Sequence, residues 1–284
     1  MNFRAYAKIN VGLRILEKRP DGYHNIETIF HQIDFFDDLA VDPARSMKLT
    51  TTSHDVPVDS TNLCLRAAQL MKDRTGFTDG VDIHLTKRIP VGAGLGGGSS
   101  DAAAILVALN KLWHIGMSKG ELESLGAHLG SDVPFFVQGG SAVGTSRGEV
   151  LEHTVFNIPY WILTVTPPVH VSTAWAYSHV HVDKHNSAKP LQMLVKEGLG
   201  DAVKPGLNIT NDFEELVFRT YPEIQRLKGT LDAAGAVFSQ LSGSGASVYG
   251  FFRDKGSARM AAELCSPTCS TSLTAPDFKP EPIP

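Results

Sequence analysis

The 284-residue sequence is poor in cysteine, with three in all. Cys64, Cys265 and Cys269 cannot build a disulfide framework, and an odd count fits a reducing compartment. Charge is sparse too. Charged residues make up 20% of the chain, and 30 Asp and Glu against 26 Lys and Arg leave a formal charge of −4. The absence of any arginine-rich or lysine-rich tract argues against a dedicated nucleic-acid or anionic-membrane binder. Long hydrophobic runs are missing: the longest near-continuous apolar stretch, over 102–109, falls far short of the ~18 residues of a membrane span. Met1-Asn2-Phe3-Arg4 lacks a signal-peptide pattern, so a cytoplasmic location is expected. There are no solenoid-length repeats and no low-complexity linkers. With 42% apolar residues the chain can nevertheless bury a substantial core, and its length suits two domains or one large one. Glycine alone is in surplus, at 26 residues, where average usage would give about 20.

Alternation and caps organise the rest. Ile9, Val11, Leu13 and Ile15 predict a strand over 3–16, followed by a Pro20-Asp21-Gly22 turn, a strand over 26–36 and a short one over 47–51. Leu63, Ala67, Leu70 and Met71 share one face of a helix over 62–74, and Val81, Ile83 and Leu85 mark a strand with one buried face. Ser100 or Asp101 is expected to cap an apolar helix running to about Trp113, because a side-chain oxygen there can accept first-turn amide protons. Ser118 and Glu121 make a capping box for a shorter helix that Gly130 stops. After an apolar strand over 160–165, Pro167-Pro168 marks the neighbourhood of a change of domain. Helices near 172–180, 212–219 and 223–234, strands over 237–241 and 247–252, and a helix over 256–265 complete an α+β pattern. The proline-rich tail from 266 onward is expected to be loosely ordered.

Five glycines, Gly92, Gly94, Gly96, Gly97 and Gly98, crowd into Pro90-Val91-Gly92-Ala93-Gly94-Leu95-Gly96-Gly97-Gly98-Ser99-Ser100, just ahead of the apolar helix. Without side chains, several N–H groups can converge on an anion, and the helix adds its partial positive end. Ser99 and Ser100 add hydroxyls for phosphate or Mg²⁺. A polyphosphate is the natural ligand; the plainer alternative is a mobile turn with none. The Walker pattern fails because no Lys follows the glycines. Gly92-x-Gly94-x-x-Gly97 formally matches the dinucleotide fingerprint, but Lys87-Arg88-Ile89-Pro90 separates it from the strand, so a nicotinamide oxidoreductase is the lesser reading.

Pro90 to Ser100 resembles the central motif of the GHMP small-molecule kinases. Ala7-Lys8-Ile9-Asn10, Asp21-Gly22-Tyr23-His24, Gly130-Ser131-Asp132-Val133-Pro134-Phe135-Phe136, Asn211-Asp212-Phe213-Glu214 and Leu241-Ser242-Gly243-Ser244-Gly245-Ala246 extend the similarity over most of the chain. The resemblance implies an α+β, two-domain GHMP kinase fold. Residues 1–158 would form an ATP-binding domain related to a ribosomal-protein domain, with a left-handed βαβ crossover, and 159–284 a ferredoxin-like substrate-binding domain. It also implies ATP as donor, Mg²⁺ held largely by its phosphates, and as acceptor the 2-hydroxyl of 4-diphosphocytidyl-2-C-methyl-D-erythritol, on the non-mevalonate route to isoprenoid precursors. Homoserine, mevalonate and galactose kinases are the nearest rivals. A non-catalytic RNA-binding module is a further alternative, against which the −4 charge weighs. A monomer or weak homodimer with no nucleic-acid or membrane partner is expected.

The resemblance also distributes roles. Asp132 reads by spacing alone as a capping aspartate; the family match makes it the base that accepts a hydroxyl proton. Lys8, in an apolar strand, either snorkels to solvent or points into the site, where by resemblance it pairs with Asp132. Asn10 faces the same side of the strand and is assigned to the substrate. Tyr23 supplies an aromatic face for cytosine and His24 hydrogen bonds to its edge; Tyr177 is the candidate for the opposite face, or a core tyrosine, and Thr173 a further substrate contact. Asn62 and Lys87 are carried over for adenine, each readable also as a helix cap or a solvated charge. Gly243-Ser244-Gly245 is a strand-joining turn or a second lip of the cleft. His179, His181 and His185, and Cys265 with Cys269, complete no recognisable metal set.

Overall fold

The computed structural model describes residues 1–182, 189–198 and 209–283; His185 and Pro284 lie outside them. The N-terminal alternation becomes β1 (Asn2–Lys18), antiparallel to β2 (His24–Ala44) across the Pro20-Asp21-Gly22 turn. β3 (Lys48–Thr51), α1 (Leu63–Thr75) and β4 (Gly80–Thr86) make a βαβ unit whose strands pair in parallel. Three helices follow, α2 (Gly97–Leu112), α3 (Lys119–Gly126) and α4 (Val133–Gln138), and then the hairpin β5 (Ser141–Thr145) and β6 (Val150–His153). β2 is the spine of this first sheet. β1 runs along one edge, while β4 takes Asp38–Ala44 and β5 takes Thr28–His31 on the other. Pairing with β4 carries β2 well past the 26–36 that its apolar pattern marks.

Several sequence expectations are corrected here. Neither Ser100 nor Asp101 caps α2: the helix opens earlier, at Gly97, with Gly96 at φ 70° and no side-chain cap. Glycine permits that left-handed entry, so no capping side chain is needed to turn the chain. The Ser118 capping box does open α3, which ends at Gly126 rather than Gly130. α4, β5 and β6 are too short for their periodicity to be read.

The second half begins with β7 (Trp161–Thr166), so Pro167-Pro168 follows its first strand instead of dividing the sheets. It continues with α5 (Thr173–His179), α6 (Leu191–Gly198), α7 (Glu214–Thr220), α8 (Pro222–Ala233), β8 (Phe238–Leu241), β9 (Val248–Phe252), α9 (Lys255–Cys265) and β10 (Ser270–Thr274). α6 has no counterpart among the expected elements. The strands form an antiparallel sheet in the order β10-β7-β9-β8. One face packs Leu163, Val165 and Phe252 with Leu231, Ala258 and Ala261 of α8 and α9; the other packs Ile162, Tyr249 and Phe251 with Ala7, Ile9 and Val11 of β1. β1 therefore buries these residues against the second sheet and is left to present Lys8 and Asn10 elsewhere.

The tail is not loose. β10 pairs with β7, the Asp34 amide donates to Thr274 Oγ1 at 2.8 Å, Phe278 meets Tyr6 at 5.4 Å, and Arg4 pairs with Glu281 at 3.2 Å. Its prolines lie outside the strand and restrict the chain beyond it rather than freeing it. No described helix is long and apolar enough to cross a membrane.

Candidate active site

Beside β1 opens a cleft of about 880 Å³, bounded by the loop before α2, the loop before α1, α5 and the β8–β9 loop. Lys8 stands at its centre, only 4% exposed. The β1–β2 register slips between Tyr6 and Lys8, and the Lys8 amide bonds to the Leu95 carbonyl at 3.0 Å. The side chain then points inward, not to solvent: Nζ donates to Asn10 Oδ1 at 2.6 Å and to the Gly94 carbonyl at 3.1 Å, and lies 3.5 Å from Asp132 Oδ2. Asp132 occupies the cap position of α4 but its side chain makes no capping bond, so the carboxylate is left for the cleft.

The glycine loop lies directly against this pair. Gly94 takes φ 77°, and a Cβ there would collide with the Ser242 carbonyl of the β8–β9 loop. The closeness is used: Ser242 Oγ donates to the Gly94 carbonyl at 3.0 Å. Pro90, Val91, Gly92, Ala93, Gly94, Gly96, Gly97, Gly98 and Ser99 line the cleft. With no side-chain cap on α2, its first-turn amides and dipole face the same space. Two members of the expected set turn away. Leu95 is buried in the core, and Ser100 Oγ donates to the Tyr6 carbonyl at 2.7 Å.

The two adenine candidates also line the cleft, but with their polar groups committed. Asn62 Oδ1 caps α1 by accepting from the Cys64 amide, and its Nδ2 donates to the Pro57 carbonyl. Lys87 is no solvated charge: it is buried between Asp37, at 2.5 Å, and Asp101, at 2.8 Å. At the other end, Tyr23 is 55% exposed, while His24 is buried and stacks on Tyr177 with ring centres 5.5 Å apart. Tyr177 thus carries His24 on one face and lines the same cleft as Tyr23. Burial, with Lys18 nearby, lowers the His24 pKa, keeping the imidazole neutral with one donor and one acceptor at neutral pH. Thr173 Oγ1 and Ser244 Oγ are 3.0 Å apart on the same wall. Asn10 Nδ2 donates to Thr28 Oγ1, so its amide is occupied in holding Lys8. Gly243 and Ser244 line the cleft while also joining two strands; both readings of that loop hold.

Comparison with known proteins agrees with this geometry. Residues 62–140 match the GHMP kinases N terminal domain and 194–266 the GHMP kinases C terminal domain. The chain is 41% identical over 280 residues to a 4-diphosphocytidyl-2-C-methyl-D-erythritol kinase of Prosthecochloris aestuarii, covering 98% of each protein. It belongs to the GHMP kinase family. A crystal structure of 4-(cytidine 5'-diphospho)-2C-methyl-D-erythritol kinase superposes with a TM-score of 0.83 at 34% identity, covering 96% of this chain and 98% of that one. Homoserine kinase from Cytophaga hutchinsonii, at 18% identity and a TM-score of 0.65, shares the fold.

Two features of this GHMP kinase are not announced by its motifs. Arg147, in the β5–β6 turn, lines the cleft with its guanidinium 4.9 Å from the Tyr23 ring centre, and is held by Glu149 at 3.2 Å. The only signal for it is a basic residue between a glycine and a serine in a hairpin turn. The second is the buried Asp37–Lys87–Asp101 cluster. Burial raises the Asp101 carboxyl to about 7, with Lys87 opposing and Asp37 adding to the rise; burial works against the Lys87 charge, but the two carboxylates more than offset it. Asp37 Oδ1 also accepts from the Arg88 and Ile89 amides, fixing the entry to the glycine loop.

Proposed function

We propose that the protein transfers the γ-phosphoryl group of Mg-ATP to the 2-hydroxyl of 4-diphosphocytidyl-2-C-methyl-D-erythritol, giving the 2-phosphate and ADP. The observation that carries this is the Lys8–Asp132 pair, 3.5 Å apart, set against a glycine loop and the uncapped end of α2. Phosphoryl transfer asks for alignment and charge neutralisation, and each requirement has a residue. The loop amides and α2 take the triphosphate. Asp132 accepts the proton of the acceptor hydroxyl, whose oxygen bonds to the γ-phosphorus as the bond from that phosphorus to the β–γ bridging oxygen breaks. Lys8, fixed by Asn10 and the Gly94 carbonyl, pairs with Asp132 and offsets charge on the moving phosphoryl group.

Mg²⁺, when bound, would supply further charge neutralisation for the transfer. Ser99, which lines the cleft while the Ser100 hydroxyl is bonded to the Tyr6 carbonyl, is the residue that would hold it. The far end favours a nucleobase over homoserine or mevalonate: Tyr23 offers an exposed ring face and His24 a neutral donor-acceptor edge. Adenine lies against Asn62 and Lys87, whose committed side chains shape the pocket and leave backbone groups to read the base.

The test measures ADP release with Mg-ATP against a panel of the cytidyl-diphosphate alcohol, methylerythritol phosphate, mevalonate and homoserine. Turnover is expected with the first. Its absence, or turnover with mevalonate or homoserine in its place, overturns the reading.

A further inference from the structure

Asn211-Asp212-Phe213-Glu214 takes no part in the chemistry just proposed, yet each of its residues is tied to a wall of the cleft. Asn211, 4% exposed, donates from Nδ2 to two carbonyls of the β8–β9 loop, those of Leu241 and Gly243, at 2.8 Å each. Its Oδ1 accepts from the Phe213 amide at 3.0 Å. Glu214 Oε1 accepts from the Leu241 amide at 2.9 Å. Asp212 Oδ2 accepts from the Ile15 amide at 2.7 Å, and a parallel bridge joins Leu13 to Asn211, so the segment is anchored on the strand that carries Lys8. Phe213, fully buried, meets the Tyr177 ring edge-on at 4.9 Å.

The loop held this way closes on two backbone bonds of its own, Ser242 amide to Ser247 carbonyl and Gly245 amide to Ser242 carbonyl, and turns on glycines. Gly243 takes φ 56° and Gly245 φ 88°, backbone states that only a residue without a side chain adopts freely. It also lies immediately over the reacting centre: a Cβ on Gly243 would stand 3.2 Å from Asn10 Oδ1 and 3.7 Å from Lys8 Nζ. Ser242 Oγ ties it to the Gly94 carbonyl and accepts from the Asn10 amide, Ser244 meets Thr173, and the Ser247 amide donates to the Ala93 carbonyl; the tetrapeptide adds three bonds, two to the Leu241 and Gly243 carbonyls and one from the Leu241 amide. Asparagine suits the central place because one amide offers two donors and an acceptor together, one donor for each carbonyl.

We infer that Asn211 and Glu214 are positioning residues for phosphoryl transfer, clamping the Gly243-Ser244 turn over Lys8 so that the Lys8–Asp132 pair keeps its alignment. The inference rests on the kinase reading above. A shift of about 1 Å in a supporting element costs ~10²-fold in rate when alignment is the source of catalysis.

The experiment compares kcat per binding-competent site, with sites counted by calorimetric titration of a non-hydrolysable ATP analogue. Asn211→Ala and Glu214→Ala are expected to lower per-site kcat by roughly 10- to 100-fold with little change in the KM for ATP. Glu214→Gln, whose Oε1 still accepts from Leu241, is expected to restore most of the rate. Should Asn211→Ala not fold, Asn211→Asp keeps the Phe213 bond while setting a carboxylate against two carbonyls, and is expected to show the same loss. A purely structural role would lower the number of sites and the melting temperature and leave per-site kcat intact; per-site kcat within about twofold of wild type overturns the clamp. A wild-type protein that phosphorylates none of the acceptors overturns the kinase reading instead.

Discussion

At the scale of single residues, the site depends on where a few polar atoms are spent. Lys8 is active in this reading because Asn10 and Gly94 occupy two of its ammonium donors and aim the third side toward Asp132. Asp132→Asn keeps the shape but cannot accept the hydroxyl proton, so kcat is expected to fall by at least ~10²-fold while ATP-analogue affinity in calorimetry stays near wild type. Turnover like wild type in that variant would remove Asp132 from its role. The sequence made Lys8, Asp132 and the phosphate loop legible because their motifs are contiguous. It left Asn62 open between cap and adenine contact, since both uses begin from the same residue before a helix. Ser100 was misread for a geometric reason: each residue turns a helix by about 100°, so an earlier start at Gly97 swings the Ser100 hydroxyl from the cleft to the Tyr6 carbonyl.

At the scale of elements, α2 both opens on the cleft from the glycine loop and closes a buried charge cluster. Asp37 comes from β2, Lys87 from the end of β4 and Asp101 from α2. No local pattern joins three such distant positions, and so the sequence gives no sign of the cluster. One Asp101 oxygen has no hydrogen-bond partner, in keeping with a carboxyl whose pKa burial raises to about 7. Between the ordinary carboxylate range and that value the folded chain holds a proton that the unfolded chain has lost. This group therefore favours the fold in mild acid and withdraws that contribution as pH rises toward and past neutrality. Asp101→Asn, which cannot ionise, is expected to gain in melting temperature over wild type as pH is raised from about 5 to about 8. Equal differences across that range, by scanning calorimetry, would contradict a carboxyl titrating there.

At the scale of the whole molecule, two sheets share one strand's faces: β1 pairs within the first sheet and packs its apolar side on the second. The alternation of Ile9, Val11, Leu13 and Ile15 showed that a face was buried, but not that a second sheet covered it. The tail reinforces the junction, with β10 on the second sheet and Phe278 and Glu281 on residues of the first. Ending the chain at Ala275 removes the Phe278–Tyr6 contact, the exposed Arg4–Glu281 pair, the Asp277 amide bond to the Ile158 carbonyl, the Lys111 bond to the Ile283 carbonyl and the packing of Ile283, and is expected to lower the melting temperature by roughly 5 °C with kcat at 25 °C little changed. An unchanged melting temperature would show the strap to be idle.

The Gly94 carbonyl, which accepts from both Lys8 Nζ and Ser242 Oγ, has a thermodynamic consequence. One backbone oxygen links the glycine loop to Lys8 and to the β8–β9 loop, so in the proposed reading a nucleotide that moves it reaches both. In that reading the two ligands would be coupled through a single atom, and by linkage whatever factor ATP applied to acceptor affinity, the acceptor would apply to ATP.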